Sequence, residues 1–245
     1  MQLSERLKMN VSLVPKGARI ADIGCDHGYA SIWLVQEGIA ERVIASDVNR
    51  GPIERAVEHV RLAGLERQIE CRQGNGTERL LPGEVDTLMI AGMGGPLMIH
   101  ILSEGRVVLQ QVRTLILQPQ SDIGAVRHYL YEHGFTIRQE KICLEDGKYY
   151  FAIRAERREA EDEEKPEAEW QFRYGTYLAK KRDPVFKNYL NKERNTFERI
   201  LENPQFASAN REDREEIVRK IREIEACLAS MEILLVPAEP ACLKG

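Results

Sequence analysis

Asp22, Gly24, Asp26, His27 and Gly28 fall together in the run ADIGCDHG. An apolar stretch ends in an acid and meets two glycines. That is the pattern of a strand turning into a helix over bare backbone, where a nucleotide-like cofactor sits. A pyrophosphate-binding turn needs a further glycine where Asp26 stands, because phosphate must lie against unhindered amides. The Asp26 carboxylate would repel phosphate. It would not repel a ligand that carries a cation there. S-adenosylmethionine has a ribose, an adenine, a sulfonium and an ammonium group and no phosphate, so Asp26 favours this methyl donor over NAD.

A second acid, Asp47, closes the run ERVIASDV about twenty residues later, where a carboxylate can bond both hydroxyls of a ribose. NAD sites share that acid, so it identifies a ribose more than a cofactor. Gly74 and Asn75, in QGNG, end a third apolar run; a backbone amide and the Asn75 side chain there suit an adenine edge, though Asn75 is equally a turn former. Gly92, Met93 and Gly94 follow a fourth run, in AGMGG. Their bare backbone opens room beside a donor methyl, in the place where target-base chemistry is usual. The plainer reading is a loop that packs closely. The Asp/Asn-Pro-Pro-aromatic motif of many amino-methylating enzymes is absent from this position. Cys25 reads as a small filler rather than a nucleophile, since no basic partner is evident. His27 has no metal-spaced partner, and no metal is expected.

The elements that must position these residues alternate. Leu3, Leu7, Val11 and Val14 recur at helical spacing. Then ARIADIG, ERVIASDV, IECRQGN, VDTLMIAG and RTLILQ read as strands with helices between them. The strands are apolar on both faces, as in a covered parallel sheet. FTIRQEKICLEDGKYYFAIRAER gives two further strands joined by a Glu-Asp-Gly turn. The expected fold is α/β, a Rossmann-like sheet ending in an antiparallel hairpin.

Residues 156–169 hold eight acids, three bases, a proline and no large apolar side chain, which predicts a solvated linker. The expected domains are residues 1–156 and 157–245. Beyond the linker, Ile217, Ile221, Ile224, Leu228, Met231 and Leu235 are spaced 4, 3, 4, 3, 4, and Phe186, Leu190, Phe197 and Ile200 fit the same register. Two such helices predict an antiparallel helical (coiled-coil) hairpin; a dimerising coiled coil is the alternative, and the short seam favours a monomer. One face of the hairpin is expected to be basic, with Lys180, Lys181, Arg182, Lys187, Lys192, Arg194 and Arg199, and Trp170, Phe172, Tyr174 and Tyr177 close by. Phosphate contact and a plain solvated face weigh about equally for any one of them.

Bulk properties exclude several classes. The net charge is −4, so any nucleic-acid site must come from local charge separation. Five cysteines, none closer than fifteen residues to another, argue against both a zinc CxxC and a disulfide framework and fit a cytoplasmic protein. No signal pattern opens the chain, and no apolar run approaches membrane-spanning length.

Taken together, ADIGCDHGYASIWL, ASDV, QGNG, IAGMGG and LQPQ, followed by an acidic linker and a helical hairpin, resemble the bacterial tRNA (adenine-22-N1)-methyltransferase family along essentially the whole chain. The resemblance implies a class I methyltransferase domain, S-adenosylmethionine as donor, and methyl transfer to N1 of adenine 22 in tRNA. It implies that Asp22, Gly24, Asp26, His27 and Gly28 line the methionine end and that Asp47 holds the ribose. Gly74 and Asn75 would approach the adenine, with Gly92 beside the donor. Met93 and Gly94, with Asp26 and His27, would face the reacting centre. Neutral adenine has a lone pair on N1, so the site needs alignment and tolerance of a cationic product more than a strong base. Asp26 is the first choice for that tolerance. The competing readings are a methyltransferase for another RNA or a small molecule, a non-catalytic RNA-binding protein with a donor-like fold, and an NAD-dependent oxidoreductase.

Overall fold

The computed structural model describes residues 3–160, 162, 166, 168–203, 206 and 211–233. The chain divides into two compact units, Met1–Lys165 and Pro166–Gly245.

The first unit opens with α1 (Glu5–Val11), capped by the Ser4 hydroxyl, which accepts the Leu7 N–H. It then runs β1 (Ala18–Ile23), α2 (Tyr29–Gln36), β2 (Ala40–Asp47), α3 (Arg50–Leu62), β3 (Ile69–Gln73), β4 (Thr87–Met93), α4 (Gly95–Glu104), α5 (Arg106–Leu109), β5 (Thr114–Pro119), α6 (Ile123–Glu132), β6 (Phe135–Glu145) and β7 (Lys148–Arg157). The seven strands form one sheet in the order β3-β2-β1-β4-β5-β7-β6. Strands β1 to β5 are parallel, and β7 runs antiparallel to both neighbours. The sequence predicts each strand; only the short α5 is an addition. The β6–β7 turn has Asp146 and Gly147 at positive φ, the two-residue geometry that matches the twist of a hairpin.

Alternate residues of each central strand feed opposite layers. Ala21, Ile23, Leu88, Ile90, Leu115 and Leu117 pack with Met98 and Leu102 of α4 and with Val126 and Leu130 of α6. Ile20, Val43, Ala45, Met89 and Ile116 pack with Val11 of α1, Leu34 of α2, and Ala56 and Val60 of α3. The sheet is thus fixed from both sides. The loops at its carboxyl edge, which carry the candidate site, stand on a rigid floor.

The acidic run predicted to be solvated is partly tied down. Arg157 donates to the carbonyls of Val112, His133 and Leu109 and lies over the Phe135 ring. Arg158 donates to Tyr131 and Phe135 carbonyls. Asp162 accepts from Thr136 and pairs with Arg138. Charge composition alone hid these partners.

The second unit holds α7 (Glu169–Tyr174), α8 (Tyr177–Lys181), α9 (Pro184–Glu202) and α10 (Arg211–Ile233). Asp183 caps α9, accepting from the amides of Val185 and Phe186, with Pro184 at a tolerated first-turn position. The α9 and α10 helices pack on each other, and α7 and α8 pack on α10. Its buried hydrophobic residues include Phe172, Tyr174, Leu178, Ala179, Phe186, Leu190, Ile224, Cys227 and Met231. Phe172 and Tyr174 are therefore core residues of this unit. Leu235 and Asn210 lie outside the described residues. Among the described residues, no helix is long and apolar enough to cross a membrane.

Candidate functional site

Parallel register brings the ends of β1, β2, β3 and β4 to one edge. Ser46 stands opposite Ile23, and Asp47 opposite Gln73. The turn after β1 is stitched to β2: the amides of Gly24 and Cys25 both donate to the Ser46 carbonyl, at 2.8 and 3.0 Å. Gly24, Asp26 and Gly28 all have positive φ. At Asp26 this is an uncommon, strained conformation for a residue with a side chain. A Cβ on Gly24 would run into the Met93 methyl, and one on Gly28 would stand 3.2 Å from Ala56 Cβ. Both positions favour glycine for φ, and at Gly28 the Ala56 backbone crowds a side chain as well; at Gly24 the crowding atom is the movable end of Met93.

Gly28 caps α2 without a side-chain hydrogen bond. The first-turn amides of α2 are thus open to an anionic group of a ligand, as helix N-termini are when uncapped. Asp22, at the foot of the turn, is buried and accepts the Ser31 hydroxyl at 2.7 Å. Burial pushes its carboxyl up to about 6; the Ser31 bond pulls the other way, and the Asp47 charge adds to the rise. Asp47, also buried, accepts the Asn49 amide at 2.9 Å and the Asp26 amide at 3.4 Å. Neither Asp22 nor Asp47 has a basic partner among the described residues. Two buried carboxylates left without a base favour a cationic or hydroxyl-rich ligand beside them.

Asp26 differs from both. Its side chain is 69% exposed, with His27 Nε2 at 3.4 Å and Arg55 at 3.9 Å. Water screens such a carboxylate. The expectation that Asp26 dominates the electrostatics therefore gives way to Asp22 and Asp47. His27 is not isolated either. Its ring stacks on Tyr29 and His59, with centroids 5.5 and 5.9 Å away, and His59 Nδ1 lies 2.9 Å from the His27 carbonyl, so that nitrogen carries the hydrogen. Sequence spacing gave no sign of His59, because α3 brings it in from thirty-two residues away. No metal cluster occurs among the described residues.

Cys25 is buried, and burial, followed by the Asp22 charge, drives its thiol far above the ordinary range. It is inert packing. In the turn after β3, the Gly74 amide is already used, donating to the Asp47 carbonyl at 3.0 Å. Asn75 is exposed, and its side chain makes no hydrogen bond among the described residues.

At the end of β4, Gly92 has positive φ, and the Met93 carbonyl accepts the Gln120 amide at 2.9 Å. A Cβ on Gly94 would stand 3.2 Å from Ser121 Oγ. Met93 is the bridge, with its methyl against the donor turn at Gly24. Arg6 from α1 reaches the other side of Gly92 and bonds Gln118 at the end of β5. Sequence reasoning missed both. Gln118 lies in LQPQ at the carboxyl end of a strand, which is a positional signal; Arg6 has none.

In the second unit, the seven basic residues do not share one face. Lys187 and Arg194 are seven apart on α9 and lie along one line, while Lys192 and Arg199 lie along another, roughly 140° round the helix. Lys181 sits over the Tyr177 ring, Arg194 pairs with Glu198 at 3.7 Å, and Arg182 stands at positive φ where α8 ends. Lys180 is exposed.

The family model for tRNA (adenine(22)-N(1))-methyltransferase matches residues 20–226. The Bacillus subtilis tRNA (adenine(22)-N(1))-methyltransferase is 40% identical over 156 residues, which span 64% of this chain and 66% of that protein. A Streptococcus pneumoniae candidate tRNA (m1A22) methyltransferase, solved with S-adenosyl-L-methionine, superposes with a TM-score of 0.82 at 36% identity, covering 93% of this chain and all of the other. The M. capricolum TrmK, solved with S-adenosyl-homocysteine, gives 0.81 at 26% identity over 94% of this chain and all of that one.

Proposed function

Because the chain belongs to the tRNA (adenine(22)-N(1))-methyltransferase family, we propose that it methylates N1 of adenine 22 in tRNA with S-adenosylmethionine as donor. The observation that carries the reading is the pair Asp22 and Asp47, two buried acids with no base beside them, next to an uncapped helix N-terminus. That donor set suits a ligand bearing a ribose, two cations and one carboxylate. It does not suit a pyrophosphate. When bound, the donor supplies an electrophilic methyl group on a sulfonium.

The residues of this chain do the rest. Asp47 accepts from ribose hydroxyls, and the α2 amides receive the carboxylate. Asp22, with His27 and Asp26 at the rim, faces the ammonium end. Asn75 approaches the adenine of the donor. Gly92, Met93 and Gly94 leave space for the target base, which must be unpaired or flipped to expose N1. The adenine N1 lone pair needs no base to free it. The negative charge of Asp22 and Asp47 lowers the cost of the cationic product in a site shielded from water. Lys180, Lys181, Arg182, Lys187, Lys192, Arg194 and Arg199 supply phosphate contacts, giving salt-dependent affinity without touching the chemistry. Because α9 and α10 cover each other's apolar residues within one chain, the protein acts as a monomer. The tRNA substrate sets the cytoplasm as its place of work.

The test is incubation of the protein with donor and unmodified tRNA, followed by mass mapping of nucleosides. The expected product is 1-methyladenosine at position 22. Donor binding without any methylated tRNA would sink the proposal.

A further inference from the structure

The carboxyl end of β5 carries a polar side chain that the donor site leaves unused. Gln118 is fully buried, and its Nε2 has no hydrogen-bond partner. Its Oε1 accepts a single bond, from Arg6 Nη1, long at 3.4 Å. A buried amide donor with nothing to bond is costly, and such groups persist where a ligand supplies the missing acceptor.

Gln118 also stands beside the glycine loop proposed above to receive the target base. In the β4–β5 ladder it stands opposite Ala91, with Met93 opposite Pro119 and Gly92 between. A Cβ on Gly92 would lie 3.3 Å from Arg6 Nη1, and the Met93 methyl meets the donor turn at Gly24. The Arg6 guanidinium lies 5.4 Å over the Tyr150 ring and has no carboxylate partner among the described residues; only the Arg6 backbone amide meets an acid, Glu145. Donor turn, Met93, Gly92 and the Arg6–Gln118 pair therefore follow one another across the carboxyl edge of the sheet.

We propose that Gln118 selects adenine as the target, its Oε1 accepting from the N6 amine and its Nε2 donating to N7. This inference rests on the adenine-N1 methylation proposed above and adds the group that reads the base. A glutamine amide matches that edge of adenine in both donor and acceptor. Reading N6 and N7 leaves N1 on the opposite side of the amine, free to face the donor methyl. Guanine would set its O6 acceptor against Oε1, and pyrimidines offer no N7. The weak Arg6 bond holds Oε1 until the base arrives. The displaced guanidinium, with no acid to retain it, then turns to a phosphate of the same nucleotide.

The experiment uses the full chain, saturating donor and two tRNAs prepared by ligation. One has adenine at position 22 and the other has 7-deazaadenine, which lacks the N7 acceptor. The wild-type protein should lose roughly 10-fold or more of kcat/KM on the deaza substrate. Gln118→Met, which keeps the volume and loses both polar atoms, should be slower on both and differ by less than two-fold between them. Donor affinity measured by calorimetry should match the parent, reporting an intact fold. Gln118→Glu, which keeps the shape and lacks the donor, serves the same comparison should the methionine variant not fold. A wild-type protein indifferent to N7 overturns the proposal, and so does a variant that keeps the full N7 penalty. If the wild-type protein binds donor but methylates neither tRNA, the methylation reading itself falls and the role of Gln118 falls with it.

Discussion

Ser31, in the first turn of α2, donates its hydroxyl to Asp22 at the end of β1, at 2.7 Å. The bond only partly offsets the burial that raises the Asp22 carboxyl from 3.8 to about 6. The sign for stability follows from linkage. The folded state holds the proton more tightly than the unfolded one, so this group destabilises the fold as pH rises from about 4 to 6, by roughly 3 kcal/mol in total. The sign for ligand binding is opposite. A cationic donor prefers the ionised carboxylate, so donor affinity should fall as pH drops below about 6. Asp22→Asn should raise the melting temperature at pH 7 and flatten the pH dependence of binding while weakening it. Calorimetry between pH 5 and 8 checks both; a pH-independent affinity in the wild type would remove Asp22 from the ammonium's surroundings.

Asp47 carries two loads. It accepts the amides of Asn49 and Asp26, which shape the turns on either side, and it is the acid proposed above to meet the ribose. Asp47→Ala should weaken donor binding by about 1.5–3 kcal/mol for each lost bond to the charged acceptor. Asp47→Asn keeps the shape and an acceptor, so it should lose less. Equal affinity in all three proteins would take Asp47 out of the site.

Far from the donor, Arg127 of α6 pairs with Glu140 of β6 at 2.8 Å, with side chains only 2% and 1% exposed. Removing one partner strands a buried charge. Glu140→Ala should cost about 3–5 kcal/mol in urea unfolding, with donor affinity unchanged in the folded protein. The double change Arg127→Met with Glu140→Leu should recover most of the loss. A single variant of unchanged stability would show that the pair is solvated in solution.

The second unit is testable by where the chain is cut. Ending at residue 165 keeps Arg157, Arg158 and Asp162 on their carbonyl, hydroxyl and arginine partners; ending at residue 156 removes them. The longer fragment should melt higher, and both should bind donor yet methylate tRNA poorly. In the full chain, charge reversal at Lys187 with Arg194, or at Lys192 with Arg199, separates the two stripes of α9. The stripe that contacts RNA should raise the tRNA KM and flatten its salt dependence. If neither reversal changes KM, α9 is not an RNA-binding surface.

The sheet was legible because short apolar runs and turn chemistry are local. ARIADIG and its neighbours are short, apolar on both faces and bounded by turn residues, as covered strands are, and Glu-Asp-Gly is a hairpin turn. Gly24, Gly28 and Asp47 were legible for the same reason, since each is marked by its place at a strand end. What escaped was set by distance along the chain. Arg157 and Arg158 look solvated inside an acidic run, and only the folded sheet shows the carbonyls that receive them. His59 joins His27 through the packing of α3. The single basic face expected of the hairpin divides, on α9, into two stripes: clustering in sequence is not clustering round a helix.

The seat of α1 has a consequence for the order in which the protein can be made. Glu145 accepts the Glu5 amide at 2.7 Å, and Lys141 donates to Ser12 at 2.7 Å, across 140 and 129 residues. The donor turn closes on Ser46, only 22 residues from Gly24. Closing the longer loop costs roughly 2 kcal/mol more chain entropy, and it must wait for the β6–β7 hairpin. A ribosome that has delivered β1 to β4 has supplied every residue proposed to hold the donor. The helix that bears Arg6 emerges before those strands, yet its seat is among the last parts of the unit to emerge, so the seating of Arg6 beside Gly92 is completed last.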